Sequence, residues 1–169
     1  MTTFFHVDRL NKLSQGMTCE LYRHSDVKPD FLQSHVDSLF PEGFTNHGEF
    51  YLLKRSSHPC LVNPQIELFF EYVRRAHFRD RPSRFQAIFA AETIDQAKKF
   101  RADHCGGNGR IWEIDASCSF RADMSLLTMG TSILCASWFA HQYWQGAGGD
   151  KPFWEFLVLP PVTVRRIVE

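Results

Sequence analysis

The spacing of apolar and polar residues predicts short strands alternating with amphipathic helices along the chain. Apolar residues cluster or alternate over short runs at residues 3–7, 17–23, 50–53, 83–91, 110–116, 153–159 and 162–168, which we predict to be strands. Apolar residues recur at helical spacing at 28–39, 63–77 and 93–100, and within a mostly helical stretch at 123–144. The pattern is typical of an α+β domain with a mostly antiparallel, twisted sheet.

Two helix starts carry local capping signals. Asn63 is followed by Pro64, a combination that favours an N-cap and a proline at the first helical position. Thr93 is a second candidate N-cap, with Asp95 in the first turn. These signals locate the predicted helix starts independently of the apolar pattern.

Composition indicates one ordinary globular domain spanning residues 1–169. Apolar residues make up 44% of the 169 positions, charged residues make up 22%, and the net charge is zero. No apolar run reaches 18 residues and the N-terminus does not resemble a signal peptide, so we expect no membrane association. The five cysteines, at 19, 60, 105, 118 and 135, form no Cys-x-x-Cys pair. This favours reduced thiols in a cytoplasmic protein.

Glu155 is the residue that most suggests chemistry, since it lies within the apolar run Trp154-Glu155-Phe156-Leu157-Val158. Glutamate is a poor strand former and is unfavourable to bury without a partner. One interpretation is a solvent-facing residue on an edge strand. The other is an acid, base or cation-stabilising group in a cleft.

A basic segment follows the helix predicted at 63–77. Six cationic or potentially cationic residues lie within eleven positions: Arg74, Arg75, His77, Arg79, Arg81 and Arg84. With aromatic residues interleaved, the segment could hold a pyrophosphate or a nucleic-acid backbone, or it could be a solvated basic face. His47 and His58 do not have metal-ligand spacing with any Cys or carboxylate motif, so we expect no metal site.

Three separated segments together resemble the signature strands of ADP-ribosyltransferases. Residues 4–8, Phe-Phe-His-Val-Asp, resemble the opening strand with its histidine. Residues 88–100, Ile-Phe-Ala-Ala-Glu-Thr-Ile-Asp-Gln-Ala-Lys-Lys-Phe, resemble the strand-then-helix segment of the poly-ADP-ribose polymerase type. Residues 154–158 are similar to that group's Glu-Tyr-Ile-Val strand. The order and separations also agree, and the resemblance covers nearly the whole chain.

The resemblance implies a twisted, mostly antiparallel split sheet flanked by helices, and NAD as a substrate without a metal. In the implied site, Glu155 stabilises the oxocarbenium-like transition state, His6 donates to the adenosine ribose, and the backbone of Val7 binds the carboxamide. Arg84 or Arg9 pairs with the pyrophosphate. Ile88 replaces the first nicotinamide-stacking tyrosine and Lys99 falls at the second, so Phe89 or Phe100 supplies the aromatic face. Gln96 stands where a serine usually binds the carboxamide.

The acceptor is indicated by residues near Glu155. Arginine-modifying members of the family carry a second Glu where this chain has Phe153, and aromatic side chains can stack on a nucleobase. In a strand, Phe153 and Glu155 would share a face, with Trp154 on the core side. With Arg74, Arg75 and Arg79, this favours a nucleic-acid acceptor, RNA above DNA, for a toxin-like or phage-defence enzyme that could have an antitoxin partner. The alternatives are a protein acceptor, an NAD glycohydrolase, and a non-catalytic binding module on the same fold.

Overall fold

The computed structural model describes residues 1–54 and 61–169, and these form seven strands, five α-helices and two short 3-10 helices. The strands are β1 (Thr2–Asp8), β2 (Thr18–Cys19), β3 (Ile88–Ala90), β4 (Arg110–Ala116), β5 (Ser119–Asp123), β6 (Trp154–Val158) and β7 (Val162–Ile167). The helices are α1 (Asp30–Leu39), α2 (Asn46–Leu53), α3 (Pro64–His77), α4 (Ile94–Cys105) and α5 (Ile133–Gln145). The 3-10 helices are Arg84–Gln86 and Met124–Leu126.

The strands form two antiparallel sheets that meet at one point. One sheet has the order β1-β4-β7-β2 and the other has the order β3-β6-β5. Phe5 in β1 and Ala91, just after β3, exchange two backbone hydrogen bonds of 2.9 and 2.8 Å. The predicted α+β class with antiparallel pairing is confirmed, and β1 and β3 lie at the junction of the sheets.

Two apolar clusters fix the sheets in place. One contains Phe70, Tyr143, Trp144 and Leu157, and it packs α3 and α5 against the three-stranded sheet. The other contains Phe4, Trp112, Ile114, Val158, Val162 and Val164, and it joins the two sheets. Burial of these side chains, which favours folding in proportion to the apolar area removed from water, holds β1 and β6 on either side of the junction.

Both predicted caps are confirmed. The Asn63 side chain accepts a hydrogen bond of 2.8 Å from the backbone N–H of Gln65, and α3 ends at His77 as predicted. Thr93 and Gln96 form a reciprocal capping box at the start of α4. These starts depend on contacts within four residues, which is why the sequence locates them well.

Four predicted elements differ from the structure. Residues 50–53 are the end of helix α2 and not a strand, because the helix begins earlier, in the polar stretch that starts at Asn46. The strand predicted at 17–23 contracts to Thr18–Cys19, and the one at 83–91 divides into a 3-10 turn and β3. Residues 119–123 form β5, which was not predicted, and the stretch predicted as mostly helical at 123–144 contains a short 3-10 helix and then α5, which begins only at Ile133.

The described residues contain neither a candidate membrane-spanning helix nor a candidate cluster of metal ligands. No helix in the ranges 1–54 and 61–169 is long and apolar enough to cross a membrane. In the same ranges, no group of three or more His, Cys, Asp or Glu side chains is placed to hold a metal ion. Cys19, Cys105, Cys118 and Cys135 are free thiols. His58 and Cys60 lie outside the described residues.

Candidate active site

A cleft of about 490 Å³ opens at the junction of the two sheets. Its walls come from β1, β3, β6, α2, α4 and the segment that follows β1. This volume is within the range of about 300–1,000 Å³ typical of small-molecule sites. Most of the residues predicted for the site line this cleft: His6, Val7, Arg9, Arg84, Phe89, Gln96, Phe100, Phe153 and Glu155. Chain segments that are distant in sequence therefore meet at one site.

Glu155 lies on a central strand, because β6 pairs with β3 on one side and β5 on the other. It is 8% exposed, so the interpretation of a solvent-facing residue on an edge strand is wrong. Its Oε1 atom accepts hydrogen bonds from Arg84 Nη1 at 2.5 Å and Tyr143 Oη at 2.8 Å. Its Oε2 atom has no hydrogen-bond partner among the described residues, and this leaves one carboxylate oxygen available to a ligand in the cleft.

Arg84 connects Glu155 to a second buried carboxylate. Its Nε and Nη2 atoms donate to the two oxygens of Glu67 at 2.8 and 2.9 Å, and Nη1 also bonds to Tyr143 Oη. The guanidinium lies 4.5 Å from the centre of the Phe89 ring. Arg84 is 2% exposed, so its donors are engaged inside the protein. Pairing with a pyrophosphate, as predicted for Arg84 or Arg9, would require Arg84 to break one of these contacts.

The electrostatics of this cluster favour an ionised Glu67 carboxylate beside a fixed cation. Burial by itself raises the pKa of Glu67, but the charge of Arg84 and the neighbouring His47 imidazole outweigh burial and hold that pKa far below its ordinary value. Burial by itself lowers the pKa of Arg84, but Glu155 and Glu67 raise it well above its ordinary value. Two carboxylates and one guanidinium give the cluster a net charge of −1. A cation in the cleft would neutralise it.

Tyr143 completes the cluster as a neutral hydrogen-bond donor. Burial raises the pKa of its hydroxyl well above the ordinary value, and the neighbouring charge of Glu155 adds to this, although Arg84 opposes it. The phenol therefore keeps its proton and donates a hydrogen bond to Glu155 Oε1. Together Tyr143 and Arg84 fix the orientation of the Glu155 carboxylate.

His6 faces the same cleft from β1. Its Nδ1 lies 2.7 Å from the carbonyl oxygen of Phe89, and because a carbonyl only accepts, Nδ1 carries the proton. Burial lowers the pKa of His6, against the raising effects of the Phe89 carbonyl and the Asp8 charge. The imidazole is therefore neutral near pH 7, with Nε2 as an acceptor. A hydrogen bond with a ribose hydroxyl would run from the hydroxyl to Nε2, opposite to the expected direction.

The aromatic and amide residues of the site have other contacts as well. Gln96 Oε1 accepts from the backbone N–H groups of Glu92 and Thr93, at 3.1 and 3.2 Å, so its oxygen serves the capping box. Phe100 and Phe153 lie with ring centres 6.3 Å apart. Phe89 instead faces the charge cluster. Phe100 with Phe153, and Phe89, are thus two separate aromatic surfaces in the cleft.

The predicted basic surface does not join the cleft. Arg74 and Arg75 both pair with the buried Glu71, at 2.8 and 2.7 Å. Arg79 is exposed, and its Nε donates to the carbonyl of Arg75 at 3.0 Å. None of the three arginines lines the cleft. Their main visible role is to fix the end of α3, which weakens the argument for a phosphate-binding surface.

Trp154 differs from its prediction. It is only partly buried and lines the cleft, with the Arg121 guanidinium 4.0 Å from its ring centre. The prediction that Trp154 is a core residue is therefore wrong. Phe153 lies just before β6, where its N–H donates to Asp123 Oδ1 at 2.8 Å, so its position is set by that bond and not by strand alternation.

Three residues of the site were not assigned to it from the sequence: Glu67, Tyr143 and His47. Glu67 is 0% exposed and shares the buried face of α3 with Phe70. The sequence signal for Glu67 was the helical spacing of this carboxylate with apolar residues of the same predicted helix. Tyr143 lies on the buried face of α5; from the sequence it could be a core residue or an aromatic that stacks on a nucleobase, and nothing in the sequence indicated the hydrogen bond of its hydroxyl to Glu155.

Comparison with known proteins gives one family. A model of the family described as "Protein of unknown function (DUF2441)" matches residues 4–169, which is nearly the full length of the chain. No curated protein matches the chain.

Proposed function

We propose that this chain, which belongs to the DUF2441 family of proteins of unknown function, is an NAD-dependent ADP-ribosyltransferase. One observation carries the proposal. The cleft brings His6 from one sheet and Glu155 from the other together beside a buried cluster with a net negative charge. The resemblance of three sequence segments to the family's signature strands supports the same conclusion.

Breaking the bond between nicotinamide and ribose generates a cation, which suits this electrostatic environment. The electron pair of the bond leaves with nicotinamide, and positive charge develops at the anomeric carbon and ring oxygen. A carboxylate that is already oriented stabilises such charge without reorganising. Glu155 fits this role because it lines the cleft, and Arg84 and Tyr143 hold its Oε1 atom while Oε2 has no hydrogen-bond partner among the described residues.

The remaining cleft residues are proposed to bind NAD. His6 Nε2 would accept from the adenosine ribose, and the backbone of Val7 would bind the carboxamide. Arg84 or Arg9 would pair with the pyrophosphate, and at Arg84 this pairing would require breaking a contact with Glu67 or Glu155. Phe100 or Phe89 would stack on nicotinamide, and Gln96 could offer its amide nitrogen to the carboxamide.

A nucleobase in RNA remains our proposed acceptor, with the cellular role of a toxin or defence enzyme. Phe153 supports it, since its ring lines the cleft next to Phe100 and lies 5.6 Å from the Lys99 ammonium. Base stacking on such a surface contributes about 1–3 kcal/mol. Arg74 and Arg75 do not support a nucleic-acid acceptor, because both pair with Glu71.

Incubation with NAD labelled in its adenylate moiety tests the proposal. The purified protein is mixed with labelled NAD and, separately, RNA, DNA or a protein lysate. We expect label on RNA. Label on protein would correct the acceptor only, and free ADP-ribose in every mixture would indicate a glycohydrolase. If NAD is neither bound nor consumed, the chain is not an NAD-dependent enzyme.

A further inference from the structure

His47 is a cleft residue with no role in the steps above. It lies in the first turn of α2, and its ring centre is 4.5 Å from that of Phe89 and 4.6 Å from that of Tyr51. Phe89 is also the ring that faces the Arg84 guanidinium. The imidazole is therefore next to the buried charge cluster and open to the same cleft.

The Nε2 atom of His47 is turned toward the cluster. It lies 3.4 Å from Glu67 Oε1, without the alignment of a full hydrogen bond, and it is a buried nitrogen with no other partner in the described part of the chain. A carboxylate this close favours the tautomer that has its proton on Nε2. Glu67 is also bonded twice by Arg84, so its position relative to the imidazole is fixed.

The other ring nitrogen is then the basic one. A neutral imidazole carries one proton, so with Nε2–H toward Glu67 the lone pair is on Nδ1. Nδ1 has no hydrogen-bond partner in residues 1–54 and 61–169, and the His47 side chain is 21% exposed and lines the cleft. An imidazole oriented by a carboxylate, with its second nitrogen free, is the arrangement that general bases use.

We propose that His47 is the general base that activates the acceptor, and that Glu67 is the positioning residue that orients it. This inference rests on the proposed ADP-ribosyl transfer. In the step, the bond between C1′ and nicotinamide breaks and its electron pair leaves on nicotinamide. A neutral O–H or N–H nucleophile, water in hydrolysis, forms the new bond to C1′ and passes its proton to His47 Nδ1. The imidazolium later releases that proton to solvent.

The charge balance of the cluster supports this assignment. Before the step, Glu67, Glu155 and Arg84 carry a net charge of −1, which stabilises the cationic transition state. The ribosyl cation is consumed as the acceptor's proton reaches His47. The imidazolium formed then balances the net charge of −1 on the cluster. Positive charge thus remains next to the two carboxylates throughout the step.

Azide rescue of His47→Ala tests the role of a base directly. Azide is an anion with no proton to remove, so it attacks C1′ without a general base. We expect nicotinamide release by His47→Ala to fall about 100-fold, within the range general bases contribute, while NAD affinity by calorimetry stays within about threefold. Added azide should restore the variant's rate about tenfold or more and yield ADP-ribosyl azide by mass spectrometry, with little effect on the wild-type rate.

Two comparisons separate this role from a structural one. His47→Gln keeps a polar side chain that cannot take a proton, and it should behave like His47→Ala if the alanine variant is unstable. His141→Gln is the matched control, since His141 lies outside the cleft and bonds the Ser137 carbonyl; it should keep wild-type rates.

The inference is overturned if both His47 variants keep more than about a third of the wild-type rate, since a general base contributes at least about 100-fold. A loss that azide does not restore also overturns it. A wild-type protein that releases no nicotinamide overturns the proposed function, and this inference with it.

Discussion

At the level of single residues, the site depends on an arginine shared by two buried carboxylates. Arg84 bonds Glu67 through Nε and Nη2 and bonds Glu155 through Nη1. The planar fork of a guanidinium makes these contacts together, which a lysine ammonium does not reproduce. Removing one member of such a buried pair leaves a charge uncompensated and typically costs about 3–5 kcal/mol. We infer that the cluster restricts substitution at all three positions.

Acid should destabilise the protein partly through Glu67. Its folded pKa lies far below the ordinary value of 4.5, although burial alone would raise it, because Arg84 and His47 favour the charged form. A depressed carboxylate pKa stabilises the fold fully above the unfolded value and loses that contribution as pH falls. The free energy of unfolding, measured by urea titration, should therefore decline from about pH 4.5 downward.

A matched pair of variants assigns this acid dependence. Glu67→Gln should be less stable than wild type near pH 7, and its unfolding free energy should fall less steeply below pH 4.5. Glu42→Gln, an exposed control, should follow the wild-type slope. Equal acid slopes in all three proteins would show that Glu67 does not carry the effect.

His6 is predicted to hold the cofactor. Its Nδ1–H donates to Phe89, which leaves Nε2 to accept from a ribose hydroxyl. His6→Ala should weaken NAD binding by about 1–2 kcal/mol, the size of a lost buried hydrogen bond. Calorimetry on the folded variant measures this, and a stability measurement accompanies it. A variant that is destabilised but binds NAD with unchanged affinity would make His6 a packing residue only.

At the level of elements, helix α4 is held by its own first turn. Thr93 accepts from the backbone of Gln96, and the Gln96 side chain returns to the Thr93 N–H. Because Gln96 also lines the cleft, this capping box connects helix stability to the site. The proposed carboxamide contact would therefore use an amide group that is already oriented.

Thr93→Ala should measure this connection. The substitution removes one capping bond and should lower the free energy of unfolding by about 1 kcal/mol. Thr2→Ala, at an exposed end of β1, should stay within about 0.5 kcal/mol of wild type. Thermal or urea unfolding measures the free energy of unfolding of both variants. Unchanged stability in Thr93→Ala would mean that the box seen in the structure contributes nothing measurable.

The elements that the sequence predicts best are those whose determinants are local. Helix α3 follows from Asn63, Pro64 and an apolar period, and strands β1 and β4 follow from short apolar runs. Helix α2 was mistaken for a strand because its first turn is polar and its apolar residues come only at the end. Strand β5 was missed because its partner, β6, lies 30 residues further along the chain.

The same distinction applies to the site. Glu155 and His6 were identified because their sequence context is unusual and resembles a known pattern. Glu67 and Tyr143 were not, because their importance depends on contacts with Arg84 and Glu155, 17 and 12 residues away along the chain respectively. Such pairings depend on how helices pack on the sheet. A single sequence shows the residue types but not which of them meet.

At the level of the whole molecule, the junction of the two sheets creates the cleft and the charge within it. The net charge of the chain is zero, so no global field attracts a nucleic acid. Selection of an RNA acceptor would then depend on local contacts. Phe153 lines the cleft just before β6, two residues from Glu155, and is the residue that we propose makes such a contact.

Phe153→Ala should separate acceptor binding from NAD cleavage. Loss of one stacked base is worth about 1–3 kcal/mol, so RNA modification should fall about tenfold or more while slow NAD hydrolysis is spared. Phe31→Ala, an exposed phenylalanine on α1, is the control and should change neither rate. If hydrolysis and transfer fall together in Phe153→Ala, that side chain serves the cofactor and not the acceptor.

Nicotinamide release from NAD, compared between wild type and Glu155→Gln, tests the central claim most directly. The substitution keeps the shape of the side chain and removes the charge that we propose stabilises the ribosyl cation. A term that acts in the transition state should lower the rate by orders of magnitude, about 100-fold or more, with the fold retained by circular dichroism. A folded Glu155→Gln variant that releases nicotinamide at nearly the wild-type rate would contradict the account.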